Sequence, residues 1–276
     1  MDRNSRFGLQ ETTEETLKET ERWLKETETG YGQVKPILTP RYTPTCTDAC
    51  MEGLQVLSEK YQVPVQSHLS EGLDEIEWVK QLKPGLSCYG EAYDMYDLLG
   101  SRQPAVMAHV VHPNEAEYEL IKHRNVLVAH CPQSNTNAAN GVAPILQMVH
   151  DGIRVGLGTD MAGGYNLNLL RTITDAIQAS KLRWCFTERN GNPFAKKNFL
   201  TVANAFYLAT KGGGSFFGKV GSFEPDYEFD AVVLDDAALA DFVERPVQDR
   251  FQRILWLYTA DTVTAKFIQG TCVYQA

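Results

Sequence analysis

Five apolar runs, each ending in a polar residue able to do chemistry, constrain this chain more than any other feature. They are Val34-Lys35-Pro36-Ile37-Leu38-Thr39-Pro40-Arg41, Val63-Pro64-Val65-Gln66-Ser67-His68, Ala105-Val106-Met107-Ala108-His109, Asn125-Val126-Leu127-Val128-Ala129-His130 and Arg154-Val155-Gly156-Leu157-Gly158-Thr159-Asp160. Stretches with helical periodicity separate them. Strands alternating with helices predict an α/β fold with a parallel sheet, and the C-terminal ends of such strands are where catalytic groups collect.

The intervening segments carry ordinary start and stop signals. Thr12-x-x-Glu15 is a capping box that opens a charged helix over 11–28, closed by Gly30-Tyr31-Gly32. Leu17, Trp23 and Leu24 give that helix one narrow apolar stripe. Further helices are expected over 48–62, 74–82, 114–124, 144–150, 167–184 and 198–210. The stretch 86–103 is less regular and carries Tyr89, Tyr93 and Tyr96, read as core first and pocket wall second. Cys131-Pro132-Gln133-Ser134-Asn135-Thr136-Asn137 has no periodicity and reads as a polar loop. After Lys211-Gly212-Gly213-Gly214 the texture changes to short strands at 228–234 and 264–274 around a helix near 249–258. The expected division is therefore 1–215 for the α/β part and 216–276 for a small β-rich segment.

Composition narrows the function. A length of 276 residues with 43% hydrophobic and 22% charged residues is enough for a full core. The net charge of −9 argues against a nucleic-acid partner, which needs a basic face. No run reaches transmembrane length, and no apolar signal-peptide core opens the chain. Cys46, Cys50, Cys88, Cys131, Cys185 and Cys272 lack the dense spacing of a secreted scaffold, so cytoplasmic, reduced thiols are expected.

The strand ends suggest metal chemistry. A strand-tip histidine such as His68 can ligate zinc, and Glu71, three residues on, is placed to shuttle protons. A core histidine beside a solvated loop would read the same way. Asp160 could be a ligand, a general base, or simply the cap of the next helix. His109 and His130 repeat the pattern on two more strands. Arg41 suits bidentate grip of a carbonyl or an ordinary salt bridge. His112, His123 and His150 fall on loop or helix positions and are set aside. Met161-Ala162-Gly163-Gly164 after Asp160 permits close backbone approach. No P-loop, Gly-x-Gly-x-x-Gly, Gly-x-Ser-x-Gly or Cys/His base-deaminase signature occurs.

Taken together, Pro40-Arg41-Tyr42, Gln66-Ser67-His68-Leu69-Ser70-Glu71, Met107-Ala108-His109, Ala129-His130-Cys131-Pro132-Gln133-Ser134-Asn135 and Gly156 to Gly164 resemble the amidohydrolase superfamily, most closely its guanine-deaminating branch. The resemblance implies a (β/α)8 TIM-like barrel, here about the last five βα units, with a C-terminal β-rich segment. It implies one zinc ion held by His68 and Asp160, with Glu71, His109 and Asp160 catalytic. The base pocket would be Arg41, Tyr42, His68, Leu69, Ser70, Glu71 and Asp160, with His130 in support. The implied reaction is guanine plus water to xanthine plus ammonia, in a cytoplasmic homodimer that binds neither nucleic acid nor membrane.

The family's opening His-x-His pair has no counterpart in this chain. The chain is thus expected to begin about a third of the way into the family pattern, without two of four zinc ligands, and to be impaired alone. Another aminohydrolase of amino-substituted rings, or a non-catalytic partner of a missing half, are the alternatives.

Overall fold

Local signals set most elements of the computed structural model, which describes residues 1–4, 8–30, 34–259 and 262–276. The first elements are α1 (Thr13–Gly30), α2 (Asp48–Tyr61), β1 (Val65–Leu69), α3 (Leu73–Leu82), α4 (Glu91–Asp94), β2 (Ala105–His109), α5 (Glu115–His123) and β3 (Leu127–His130). Then come α6 (Pro132–Asn137), α7 (Ile145–His150), β4 (Arg154–Leu157), α8 (Leu169–Phe186), α9 (Val202–Tyr207), β5 (Ala231–Leu234), α10 (Val247–Leu257), β6 (Val263–Ile268) and β7 (Thr271–Gln275). The expected capping box is formed: the Thr12 N–H donates to Glu15 Oε2 and the Glu15 N–H to the Thr12 hydroxyl. Of the turn expected to end α1, residues 31–32 lie outside the described residues.

The chain divides into two compact units. One comprises Met1–His130, Ala139–Ala143 and Gln147–Arg154, the other Cys131–Ala138, Pro144–Leu146 and Val155–Ala276. The parallel sheet has strand order β1-β2-β3-β4. In the first unit the register runs from Val65 opposite Ala105 to Leu69 opposite His109, and β3 follows with Leu127 opposite Val106. Val65, Leu69, Met107 and Val128 are fully buried. By register these four share one face, which forms a continuous buried apolar layer, while Gln66, His68, Val106 and Ala108 on the other face are less buried.

The run 34–41 forms less strand than its sequence suggests. It joins the sheet by a single bridge, Leu38 beside Val65, with the Leu38 N–H donating to the Pro64 carbonyl. Pro36 and Pro40 have no N–H to give, so the ladder cannot extend past Leu38 on either side. On the outside, the Leu24 side of α1 is buried, and α1 packs against α2. A Cβ at Gly53 of α2 would collide with Leu17, so glycine there lets the two helices approach.

Residues 131–137, expected as a loop, form α6, with Pro132 at its first position and the Asn135 N–H donating to the Cys131 carbonyl. Polar, aperiodic residues disguise it because its buried part, Pro132 to Asn135, is a single turn too short to set up a period. The expected helix over 198–210 is shorter as α9 and continues as a wider turn over Leu208–Gly212. The tail is the expected antiparallel set, in order β5-β6-β7, with the 264–274 run folded into the β6–β7 hairpin. All six cysteines are free thiols. No described helix is long and apolar enough to cross a membrane.

Candidate functional site

His68 is positioned by its own strand and by the segment before it. Its backbone N–H donates to the Arg41 carbonyl at 3.4 Å, and its ring Nδ1 contacts the same oxygen. A carbonyl only accepts, so the neutral ring carries its proton on Nδ1 and leaves Nε2 with a free lone pair. That is how a ligating histidine is held ready.

His109 reaches His68 through an irregularity. Register places it opposite Leu69, so regular alternation would put it on the face away from His68. Its φ is +77°, and Val110 follows at +46°. The rings of His68 and His109 stack with centroids 5.2 Å apart and planes at 21°. Left-handed backbone at a non-glycine residue costs on the order of 1–3 kcal/mol and collects at functional sites.

Glu71 follows another such residue, Ser70, at φ +47°. Asn140 Nδ2 donates to Glu71 Oε1 at 2.8 Å, while Oε2 lies 3.6 Å from His109 Nε2. That second distance exceeds a hydrogen bond and leaves the carboxylate oxygen beside the ring. The Asn140 carbonyl in turn receives the His112 ring at 2.6 Å. The carboxylate is thus held by one oxygen and presented by the other. His112, set aside in the sequence, steadies the residue that holds it.

Beneath the loop lies a buried polar layer. The Ser70 hydroxyl donates to Glu117 Oε2 at 2.7 Å, and the Gly90 N–H to Glu117 Oε1 at 2.9 Å. Burial pushes the Glu117 carboxyl up to about 7, against the opposing pull of those two donors. Burial also raises Glu75, which accepts from the Glu71 N–H and the Tyr89 hydroxyl. Tyr93 is fully buried, as expected of core, yet its hydroxyl organises the site. It donates to the His68 carbonyl at 2.8 Å and accepts from the Thr43 N–H at 3.2 Å.

Arg41 and Tyr42 stand on the open side. The Arg41 guanidinium lies 5.0 Å from the Tyr42 ring centroid. Tyr42 meets His68 edge-on at 6.4 Å and Trp78 at 6.3 Å. A planar heterocycle could stack within that set. Trp78 gave no sign in the sequence, where it is one apolar position of α3. Leu69 is fully buried, so its side chain faces the core. His130 ends β3 in the interior, where burial and then the nearby His109 lower it to about 3.

Asp160 belongs to the second unit, three residues past the end of β4. Its φ is +46°, and the Gly164 N–H donates to its carbonyl at 2.6 Å. A Cβ at Gly163 would stand 2.7 Å from Asp160 Oδ2, and one at Gly164 would collide with the Thr159 carbonyl. The expected close approach is therefore real, and it holds the aspartate's turn. Asn137 of α6 secures the same turn by donating to the Gly163 carbonyl at 3.0 Å.

A model described as "Amidohydrolase family" matches residues 2–254. Guanine deaminase from Dictyostelium discoideum is 36% identical over 278 residues, covering 98% of this chain and 60% of the relative. The Homo sapiens guanine deaminase is 37% identical, covering 86% and 52% respectively. A crystal structure of guanine deaminase from C. acetobutylicum with bound guanine superposes with a TM-score of 0.92 at 40% identity. It matches 99% of this chain and 64% of that one. The chain thus spans about 60% of the length of the first of these relatives. With this match over most of its length, and with its parallel α/β sheet, the chain belongs to the amidohydrolase family.

Proposed function

We propose that this chain carries the guanine-handling half of a zinc-dependent aminohydrolase that converts guanine and water to xanthine and ammonia. The observation that carries the reading is His68, locked by the Arg41 carbonyl with Nε2 free, stacked on His109 beside a tethered Glu71. The 40% identity to the guanine-bound relative supports the choice of substrate.

The donors suit zinc, which takes imidazole nitrogen and carboxylate oxygen. His68 and Asp160 would hold the ion. When bound, zinc makes water nucleophilic near neutral pH and polarises the attacked centre. Glu71 takes the proton from the attacking water and delivers it to the departing amine, an exchange for which Asn140 fixes its orientation. His109 polarises the carbon under attack. Arg41 and Tyr42 hold the purine, with Trp78 behind Tyr42. The buried Leu69 and the Glu117-bound Ser70 contribute their backbone to the pocket floor.

The same reading includes a (β/α)8 barrel of which this chain holds about the last five units, and a boundary near 215/216. The change from parallel to antiparallel pairing in the tail supports that boundary. A cytoplasmic homodimer acting on a free purine completes it. Free thiols and a net charge of −9 support the compartment and the absence of nucleic acid, and the dimer rests on family likeness.

The test is xanthine and ammonia formation from guanine with added zinc. It is run with the chain alone and with the chain supplemented by the His-x-His-bearing portion of a relative. Glu71→Gln should lower turnover by about 10²–10⁴-fold while leaving zinc content unchanged. Equal turnover in that variant removes Glu71 from the mechanism. Failure to form xanthine in both arms overturns guanine as the substrate.

A further inference from the structure

Cys46 and Cys50 take no part in the site, yet they are set up as a pair. Thr47 caps α2, its hydroxyl accepting from the Cys50 N–H at 3.2 Å. Cys46 is therefore the residue before the cap and Cys50 the third of the helix, both on one turn. Their side chains hydrogen-bond to each other, and they are 2% and 0% exposed. Asp2 fixes this turn by accepting from the Thr47 N–H at 2.8 Å.

The two cysteines also border a pocket of about 370 Å³ shared with Met1, Leu38, Pro40 and Leu54. A molecule the size of water needs only some 10–15 Å³ of such space, so a small neutral oxidant fits in the pocket and reaches the sulfurs by a local opening of this turn. The other buried thiols, Cys88 and Cys131, do not border it.

We propose that Cys46 and Cys50 are a redox-active dithiol that closes to a disulfide on exposure to hydrogen peroxide. The two thiols are chemically unequal. Cys46 lies at a helix N-terminus, where backbone N–H groups favour an anion. The Cys50 thiol donates to it, which lowers Cys46 and raises Cys50. Cys46 thiolate attacks one peroxide oxygen, the O–O bond breaks, and the departing hydroxide takes up a proton as water. This leaves a sulfenic acid on Cys46. The Cys50 sulfur then attacks the Cys46 sulfur, the S–O bond breaks, and the hydroxyl leaves with the Cys50 proton as a second water. Two thiols lose two electrons, and one peroxide becomes two waters.

The test needs no enzymatic activity. The folded chain is exposed to peroxide, alkylated in denaturant, and digested with trypsin without reduction. Cys46 and Cys50 fall on one fragment, 42–60, between Arg41 and Lys60. The expected product is that fragment, unalkylated and lighter by two hydrogens, formed before Cys88 or Cys131 reacts and reversed by dithiothreitol. In Cys50→Ala, dimedone should tag Cys46, and the time course of the unaltered chain decides the matter if that variant does not fold. Two alkylated thiols on the fragment while exposed Cys272 is oxidised would overturn the proposal. So would Cys46 advancing to sulfinic acid beside a free Cys50.

Discussion

Tyr93→Phe removes one buried oxygen and tests whether that hydroxyl ties the two sides of the site together. The hydroxyl donates to the His68 carbonyl and accepts from the Thr43 N–H, the second residue after Arg41. It also lies 2.9 Å from the Ser67 hydroxyl, which contacts the Pro40 and Arg41 carbonyls. Phenylalanine keeps the ring volume, so packing is unchanged and the loss is polar. An unpaired buried N–H costs about 1–3 kcal/mol, and the lost donated bond about 1 kcal/mol more. The sum, about 2–4 kcal/mol, should lower the urea midpoint by roughly 1 M, given a slope of about 2–3 kcal/mol per molar. The Thr43 amide should also exchange faster with deuterium. Tyr165→Phe is the control, because that residue is 62% exposed, and it should change stability by less than about 0.5 kcal/mol. If Tyr93→Phe moves the midpoint no further than this control, the hydroxyl is not an anchor and the reasoning fails.

Glu117 should give the chain a pH-dependent stability that Glu117→Gln removes. Its folded value of about 7 exceeds the ordinary 4.5, so the folded form keeps a proton that the unfolded form releases. Stability is then full below about 4.5 and falls as pH rises to about 7, by on the order of 3 kcal/mol. Urea midpoints at pH 5 and pH 8 read this directly, and an equal drop in the variant would assign the slope elsewhere. Gly164→Ala forces a methyl group against the Thr159 carbonyl and should cost about 1–3 kcal/mol, measured by thermal unfolding. An unchanged melting temperature would mean that the Asp160 turn relaxes freely.

The sequence revealed the strand tips better than it revealed what holds them. His68, His109 and His130 stand at strand ends as their apolar runs suggested, because runs of Val, Leu and Met have nowhere to go but a covered sheet. The bend that turns His109 toward His68 was hidden, since left-handed backbone is usually advertised by glycine and here falls on Ser70, His109, Val110 and Asp160. Residues 34–41 carry the apolar content of a full strand, but Pro36 and Pro40 lack the donors that a ladder needs. Tyr93, Asn140 and Glu117 act through hydrogen bonds to residues 25 to 69 positions away. Spacing along the chain carries no trace of such partners.

The most direct test of the site is zinc titration of the chain with ¹⁵N-labelled histidine, observing the ring nitrogens. The expected result is a large shift at Nε2 of His68 with His130 unmoved, and at least about tenfold weaker zinc uptake in His68→Ala. Zinc uptake that is unaffected by His68→Ala, with the His68 ring unshifted, would contradict the account at its centre.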